Sequence, residues 1–470
     1  MTAPSSAPVG ATKQLACFVS ELQYKDLPGE AVTVLKMLFL DTVGTALAGT
    51  TLGSGCVEVA RVVGDAGGTP ECTVIGYGVK APALTAAFAN GSTAHALNYD
   101  ALGGEGGHLG VSTLPAALAA AERRGGVSGK EMLAAMAAAA EVTARLAGAL
   151  YHAGVKANER FLEGQVMGYF GAAAGASRVM GLSPGQTHSA LGTALMQTAG
   201  TMQVVFDGDP PAKAIYGGFA NLGGMLAALL SQQGLGAEIR AIEGQAGLYG
   251  LLYGGTYDAD IITGDLGSEF RLLKARFKPW PTSGIVHPFI EAACTLAQRH
   301  QLAQDDVQRV MVRGNNHFLN WVEPVAERQR PPNAASAANS VQFGVGKALA
   351  HKTVGLSDFT REGLEDPAAL AIASLTSYEI DDTLTGMTGV VEVTTRSGQQ
   401  LSETVTIPLG HPSRPLSFDQ IVTKFQDCAV HSASSISGDA LERLVDRVEK
   451  LEQVEDVAEM AALVMGRAAG

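Results

Sequence analysis

Three side chains in this 470-residue sequence have the type and the setting to do chemistry: His108, Lys213 and Lys278. His108 closes the run Gly103-Gly104-Glu105-Gly106-Gly107 just before a helical pattern, so its ring can sit near unsatisfied backbone N–H groups. An imidazole titrates near neutral pH and can serve as acid or base; the alternative is a histidine that only caps or packs the loop. Lys213 ends Asp207-Gly208-Asp209-Pro210-Pro211-Ala212-Lys213, ahead of a glycine-rich apolar helix. It reads as an anion anchor or proton donor, or else as a solvated lysine at a helix start. The macrodipole disfavours a cation there, which tilts the reading toward function. Lys278 lies between Phe277 and Pro279-Trp280, an apolar setting where a lysine either snorkels or holds an anion. His95, with Ala94 and Asn98 at helical spacing, lines a pocket or, more commonly, is a satisfied core histidine. Asp100 orients a neighbouring base or caps a helix, and His287-Pro288 opens a helix and reads as structural.

Several chemistries lack their residues. The glycine run at 103–107 follows no strand and precedes no Gly-Lys-Ser/Thr, so it is neither a dinucleotide fingerprint nor a phosphate loop. There is no His-Glu-x-x-His, Cys-x-x-Cys or Gly-x-Ser-x-Gly. The five cysteines (Cys17, Cys56, Cys72, Cys294, Cys428) are scattered without metal-ligand spacing and fit ordinary buried thiols in a reducing compartment. A formal net charge of −13 repels nucleic acid and anionic membranes. It would repel an anionic substrate as well, unless basic residues are concentrated inside the site. No stretch is expected to offer the roughly 20 uninterrupted apolar residues of a membrane span, since the most apolar run, Met132 to Leu150, carries Glu141 and Arg145. The segment Met1 to Gly10 shows no basic and apolar leader pattern, and the expectation is a cytoplasmic protein.

These side chains need a frame. With 46% hydrophobic and 17% charged residues, 57 glycines and long alanine runs, the composition suits closely packed helices. Helical patterns run from about Gln14 to Gly250. One opens at Leu27-Pro28-Gly29-Glu30 and is expected to stop at Gly49; others open at Ser128, with Glu131 at capping-box spacing, and at Ser183-Pro184-Gly185-Gln186. Gly217, Gly218, Gly223 and Gly224 sit inside an apolar helical run, where close helix–helix approach would offset their poor propensity. Near Gly264 the texture changes. Val307 to Arg313, Val390 to Thr395 and Leu401 to Ile407 alternate as strands, the last two joined by Arg396-Ser397-Gly398-Gln399. After Gly410 helices resume, one opened by Ser417 and Asp419, another spanning Asp439 to Val457. The expected fold class is mainly α: a large helical domain from both chain ends (1–270 and 411–470) with a smaller inserted α+β domain (271–410), to which the strands are confined.

The run from Asn90-Gly91 through His95-Ala96-Leu97-Asn98-Tyr99-Asp100 to His108 and Pro115-Ala116-Ala117-Leu118 resembles the signature of the MmgE/PrpD family. Gly171 to Ser183, the Lys213 segment up to Glu243-Gly244, Phe277-Lys278-Pro279-Trp280-Pro281 with His287, and Gly410-His411-Pro412-Ser413-Arg414-Pro415-Leu416 follow in the family's order. Together they span about residues 30 to 430. The resemblance implies a helical domain, a smaller α+β lid, an active site between them, and a homodimer. It also implies a lyase (hydro-lyase or decarboxylase-like) or an isomerase or epimerase that acts beside a carboxylate without metal or organic cofactor. Such chemistry needs an acid/base group and fixed positive charge for the developing enolate-like anion, roles that fall to His108 and to Lys213 and Lys278.

The resemblance also exposes departures. Asn98 stands at the first position of the family's Asp-rich turn, Ala101 replaces the second of its paired acids and Leu102 follows where a Thr is usual. Leu162 occupies the place of a second histidine and Phe343 that of a tyrosine. His95, Asn98, Asp100, Leu102, Leu162 and Phe343 are therefore the candidate substrate-binding set. A pocket with fewer donors suits a small organic acid that is less charged or bulkier than a citrate-type tricarboxylate. The other expectation is a catalytically inactive relative that binds a small carboxylate metabolite.

Overall fold

The computed structural model describes residues 10–208 and 210–467. Residues 1–9, most of the segment read for a leader, and Asp209 lie outside them. The chain forms two compact units, one running up to Arg276 and resuming at Ser417, the other Phe277–Leu416.

The first unit is built from helices whose starts follow the sequence signals. Ser128 caps the Gly129–His152 helix and Ser183 caps Pro184–Gln197, each with a reciprocal capping box from Glu131 or Gln186. The Gly29–Leu52 helix runs on past Gly49, where the pattern had placed its end. Gly49 stays helical because its bare Cα admits a neighbour: a methyl there would lie 2.1 Å from the Thr93 carbonyl oxygen. The Tyr216–Gln232 helix uses its glycines in the same way. A methyl on Gly217 would sit 2.6 Å from the Gly91 oxygen, and one on Gly218 would sit 2.0 Å from the Ser92 hydroxyl. Both neighbours belong to the Ala83–His95 helix. On the same helix, Gly223 and Gly224 bring it against Tyr169 and Ala172 of the Glu163–Val179 helix.

Two helices, Gly29–Leu52 and Gly129–His152, are long and apolar enough to cross a membrane by length and composition, although charged residues interrupt each of them as expected. Both are mostly enclosed by their own fold. The charges in the second are satisfied inside it: Arg145 Nε meets Glu141 at 3.0 Å, and its guanidinium donates to the Gly264 and Glu269 carbonyls at 2.7 and 2.8 Å.

A short antiparallel hairpin, β1 (Cys72–Val74) with β2 (Val79–Ala81), corrects the expectation that strands are confined to the inserted region. Strands of three residues are too short to show an alternation. The expected single helix from Asp439 to Val457 stops at Glu449 and gives way to a 3-10 turn, and the next helix, Ala458–Leu463, begins beyond Val457. The chain leaves the helix to reach the start of Gly129–His152, whose Gly129 N–H donates to the Val454 carbonyl at 2.9 Å.

The second unit holds a four-stranded sheet. β3 (Val307–Gly314), β4 (Thr376–Ile380), β5 (Gly389–Thr395) and β6 (Gln400–Val405) are ordered β4-β3-β5-β6, with β3 and β4 parallel and the other pairs antiparallel. Val310, Val312, Val391 and Val393 face the His287–Arg299 and Val341–His351 helices through Phe289, Leu296, Val345 and Leu349. β4 was not anticipated. It is an edge strand with only Thr376 fully buried, so its sequence carries little hydrophobic alternation.

Candidate active site

The Ala83–His95 helix ends at His95, and the following turn delivers Asp100. Asn98 adopts a left-handed φ of 50° there, a conformation asparagine tolerates better than most residues. The turn is clamped from beneath. Lys424, on the Phe418–Ala429 helix, donates to the Tyr99 carbonyl at 2.8 Å and pairs with buried Asp41 at 2.6 Å. The Lys424 ammonium lies 3.6 Å from the centre of the Tyr99 ring.

Asp100, fully buried, holds two histidines. Its Oδ2 meets His108 Nδ1 at 2.6 Å and its Oδ1 meets His95 Nδ1 at 3.2 Å. Burial by itself would raise the Asp100 carboxyl, but the charges and hydrogen bonds of His108 and His95 hold it well below the usual carboxylate range. An ionised carboxylate only accepts, so each imidazole presents Nδ1–H to it, and a neutral His108 keeps its lone pair on Nε2. Burial outweighs Asp100 at His95 and pulls that ring down to about 4, so His95 is neutral at physiological pH. It packs against Tyr216, with ring centres 3.9 Å apart and the planes tilted by 39°, and meets His108 edge-on at 4.7 Å. His108 is the half-buried member of the set.

The loop that ends at His108 is firmly tied. Gly106 and Gly107 take positive φ of 118° and 78°, folding the loop onto the start of the Glu163–Val179 helix, where the Gly107 N–H donates to Glu163 at 3.1 Å. Glu105 binds Arg271 at 2.7 Å, Lys274 at 2.5 Å and His152 at 2.9 Å. Leu102 pairs backbone to backbone with Arg276, its N–H donating at 2.9 Å. His108 stands at the N-cap of the five-residue Leu109–Thr113 helix, but its side chain makes no cap bond, because Asp100 engages it instead.

Of the residues singled out from sequence, His95, Asp100 and His108 come into direct contact. Lys213, in a separate helical turn (Pro211–Ala214) rather than at the start of the long helix, is near enough for its charge to act on His95. Asn98 shapes the turn, Leu102 braces it, and Leu162 is buried at the N-cap of the Glu163–Val179 helix. Lys278 and Phe343 belong to the second unit. Lys278 is buried, and Phe343 is fully enclosed, its ring 6.1 Å from that of Phe359 and 5.7 Å from the Lys347 ammonium.

Three residues escaped the sequence reading. Glu163, buried at a helix start, looks in sequence like any acid that favours a helix N-terminus. Tyr216 opens an apolar helix and reads as core. Gly164 makes room for both neighbours, since a methyl there would lie 2.5 Å from His108 Cδ2 and 2.7 Å from the Tyr216 hydroxyl. The ligand atoms of His95, Asp100 and His108 lie within 4.8 Å of one another, and a metal ion held between the two Nδ1 atoms and the carboxylate would displace both Nδ1–H···carboxylate bonds.

A histidine whose Nδ1–H is fixed by a buried carboxylate is an acid/base device. Comparison with known proteins gives the family in which it sits. The MmgE/PrpD N-terminal domain matches residues 13–259 and the MmgE/PrpD C-terminal domain matches residues 280–450, and the chain belongs to the MmgE/PrpD family. Curated relatives include the cis-aconitate decarboxylase-like protein oryM of Aspergillus oryzae, 28% identical and aligned over 99% of this chain and 100% of that protein. The cis-aconitate decarboxylases of Aspergillus terreus and Homo sapiens are each 26% identical, covering 98% and 97% of this chain and 97% and 94% of their own lengths. Decarboxylases are lyases, and relatives so named lend no support to an inactive binding protein.

Proposed function

We propose that this protein is a cofactor-independent lyase or isomerase that moves a proton at a carbon adjacent to a carboxylate of a small organic acid. The 2.6 Å contact between Asp100 and His108 carries the reading, because it fixes the tautomer that leaves Nε2 free to take a proton. Lys213, whose charge acts on His95, supplies positive charge for the substrate carboxylate and for the enolate-like anion that forms when the C–H pair is released. The homodimer implied by the family and the cytoplasmic location expected from the N-terminal sequence belong to the same proposal.

The substrate is proposed to be less charged or bulkier than a citrate-type tricarboxylate. Ala101, Leu102 and Leu162 make the surroundings of the Asp100 turn and the Glu163 helix start apolar, and all three sequence positions lack a polar side chain. Such a surface offers few donors to a third carboxylate. The test is a panel of mono-, di- and tricarboxylates, cis-aconitate included, incubated with protein in deuterated water and followed by NMR. Deuterium uptake or conversion of one acid, abolished in His108→Ala, is the expected result. Rapid turnover of cis-aconitate would sink the substrate proposal, and conversion that survives in His108→Ala would sink the role of His108.

A further inference from the structure

Beside the Asp100–histidine set stands an ionisable side chain to which that chemistry gives no role. Glu163 is 6% exposed. One carboxyl oxygen accepts the N–H of Gly107, the residue before His108; the other, Oε1, is buried with no hydrogen-bond partner among the described residues. Gly106 lies over it, so closely that a methyl there would be 3.0 Å from Oε1. The adjoining Gly164 is the point where the His108 ring and the Tyr216 hydroxyl converge. Burial raises the Glu163 carboxyl, against which the Gly107 N–H and the charge of His108 pull. The other titratable groups that feel it are the hydroxyls of Tyr216, Tyr249 and Tyr253, each raised first by its own burial. A buried ionised oxygen without a donor is strongly disfavoured, so burial works in favour of the protonated form of Glu163. A neutral acid next to a histidine set up as a base is the division of environments that separates donor from acceptor.

We propose that Glu163 is the second proton-carrying group of the site, giving a proton to the substrate while His108 takes one. This rests on the acid/base reading of His108 and deepens it. His108 Nε2 accepts the proton from the carbon beside the carboxylate, and the C–H electron pair moves toward the far end of the substrate. The pair displaced there takes the Glu163 proton: a carbon–carbon π pair in an isomerisation, the C–O pair in a loss of water. The step ends with imidazolium and carboxylate, and return of one proton from His108 to Glu163 resets both.

Glu163→Gln separates this role from a structural one. The amide oxygen still accepts the Gly107 N–H, so a residue that only anchors the loop survives the change, whereas a proton carrier does not. One measurement needs no substrate: infrared difference spectra of wild type minus E163Q across pH. The expected signal is the C=O stretch of a protonated carboxyl at neutral pH; a Glu163 already ionised there overturns the proposal. The other follows deuterium uptake and product from cis-aconitate and from saturated and unsaturated mono- and dicarboxylates in wild type, E163Q and H108Q. H108Q is expected to lose both. E163Q is expected to keep the exchange that His108 performs and to lose product formation by roughly 10²–10⁴-fold, together with the alkaline limb of the pH–rate profile. Wild-type product formation in E163Q overturns the role of Glu163 while leaving His108 in place. Wild-type turnover in H108Q overturns the reading beneath it. If the whole panel is silent, the infrared result alone decides.

Discussion

Replacing Asp100 with asparagine changes one charge and one acceptor at nearly constant volume, and its effect can be worked out from the geometry. In the native site both imidazoles donate Nδ1–H to the buried carboxylate, at 2.6 Å from His108 and 3.2 Å from His95. An asparagine that turns its NH₂ toward His108 makes Nδ1 an acceptor and moves the proton to Nε2, the wrong tautomer for a base. A charge-assisted hydrogen bond of this kind contributes about 1.5–3 kcal/mol. Loss of general-base function lowers the rate roughly 10²–10⁴-fold, or about 3–5 kcal/mol of barrier. The expected outcome is a fall in kcat of that order with little change in KM, and ¹⁵N spectra in which the His108 proton moves from Nδ1 to Nε2. Stability follows with a definite sign. The Asp100 carboxyl is depressed in the folded protein, so its contribution is present above the ordinary carboxylate pKa and is lost as pH falls through the folded value. D100N is therefore less stable at neutral pH, and the gap narrows only in acid. A D100N protein that turns over within about threefold of wild type, with both tautomers unchanged, would refute the reasoning.

Two further outcomes follow from buried charges. His95 is held at about 4 by burial, so it stays neutral in the fold while the unfolded chain protonates near 6.5. Stability is therefore full above pH 6.5 and falls by up to about 3 kcal/mol toward pH 4. Thermal melts across that range should show His95→Gln losing less than wild type, and parallel losses would count against it. Lys424→Met strands Asp41, whose side chain is 0% exposed, and should cost about 3–5 kcal/mol in denaturant unfolding. Asp41→Asn in the same chain should restore part of that loss, and a K424M variant that unfolds like wild type would show the pair to be idle.

The helical frame was legible where local signals and packing agree. Ser128 with Glu131 and Ser183 with Gln186 announce helix starts, and the pattern Gly217, Gly218, Gly223, Gly224 announces a close approach that the structure makes against two neighbouring helices. What failed did so because a distant partner decided it. Gly49 looks like a stop until Thr93 is seen against it, and the break after Glu449 depends on Val454 reaching Gly129. The site divides along the same line. His108 could be singled out because a histidine after five residues rich in glycine is conspicuous, and Asp100 could be named only as one of two things. Its choice between base-orienting and capping turns on the positions of His95 and His108, brought within reach by the left-handed turn at Asn98. Glu163 was illegible for a plain reason. An acid at the first position of a helix is ordinary, and the contacts that mark this one come from a loop more than fifty residues earlier, whose Gly107 N–H reaches it and whose Gly106 lies against it.

The glycine contacts between helices carry a lesson for anyone wishing to make this protein more robust. Exchanging helix-interior glycine for alanine is a standard route to thermostability, worth about 0.4–1 kcal/mol through the unfolded chain. At Gly64, on the Cys56–Ala66 helix, a methyl meets nothing within 4 Å and the recipe applies. At Gly218 or Gly224 the same exchange drives a methyl to 2.0 Å from a hydroxyl or 2.5 Å from the Ala172 methyl, and the helices must part. Since the Tyr216–Gln232 helix carries Tyr216 at its head, parting it from its neighbours would shift the ring against which His95 packs. Heat resistance and turnover in this fold thus draw on the same few contacts, and alanine is an improvement only on faces that no other backbone touches.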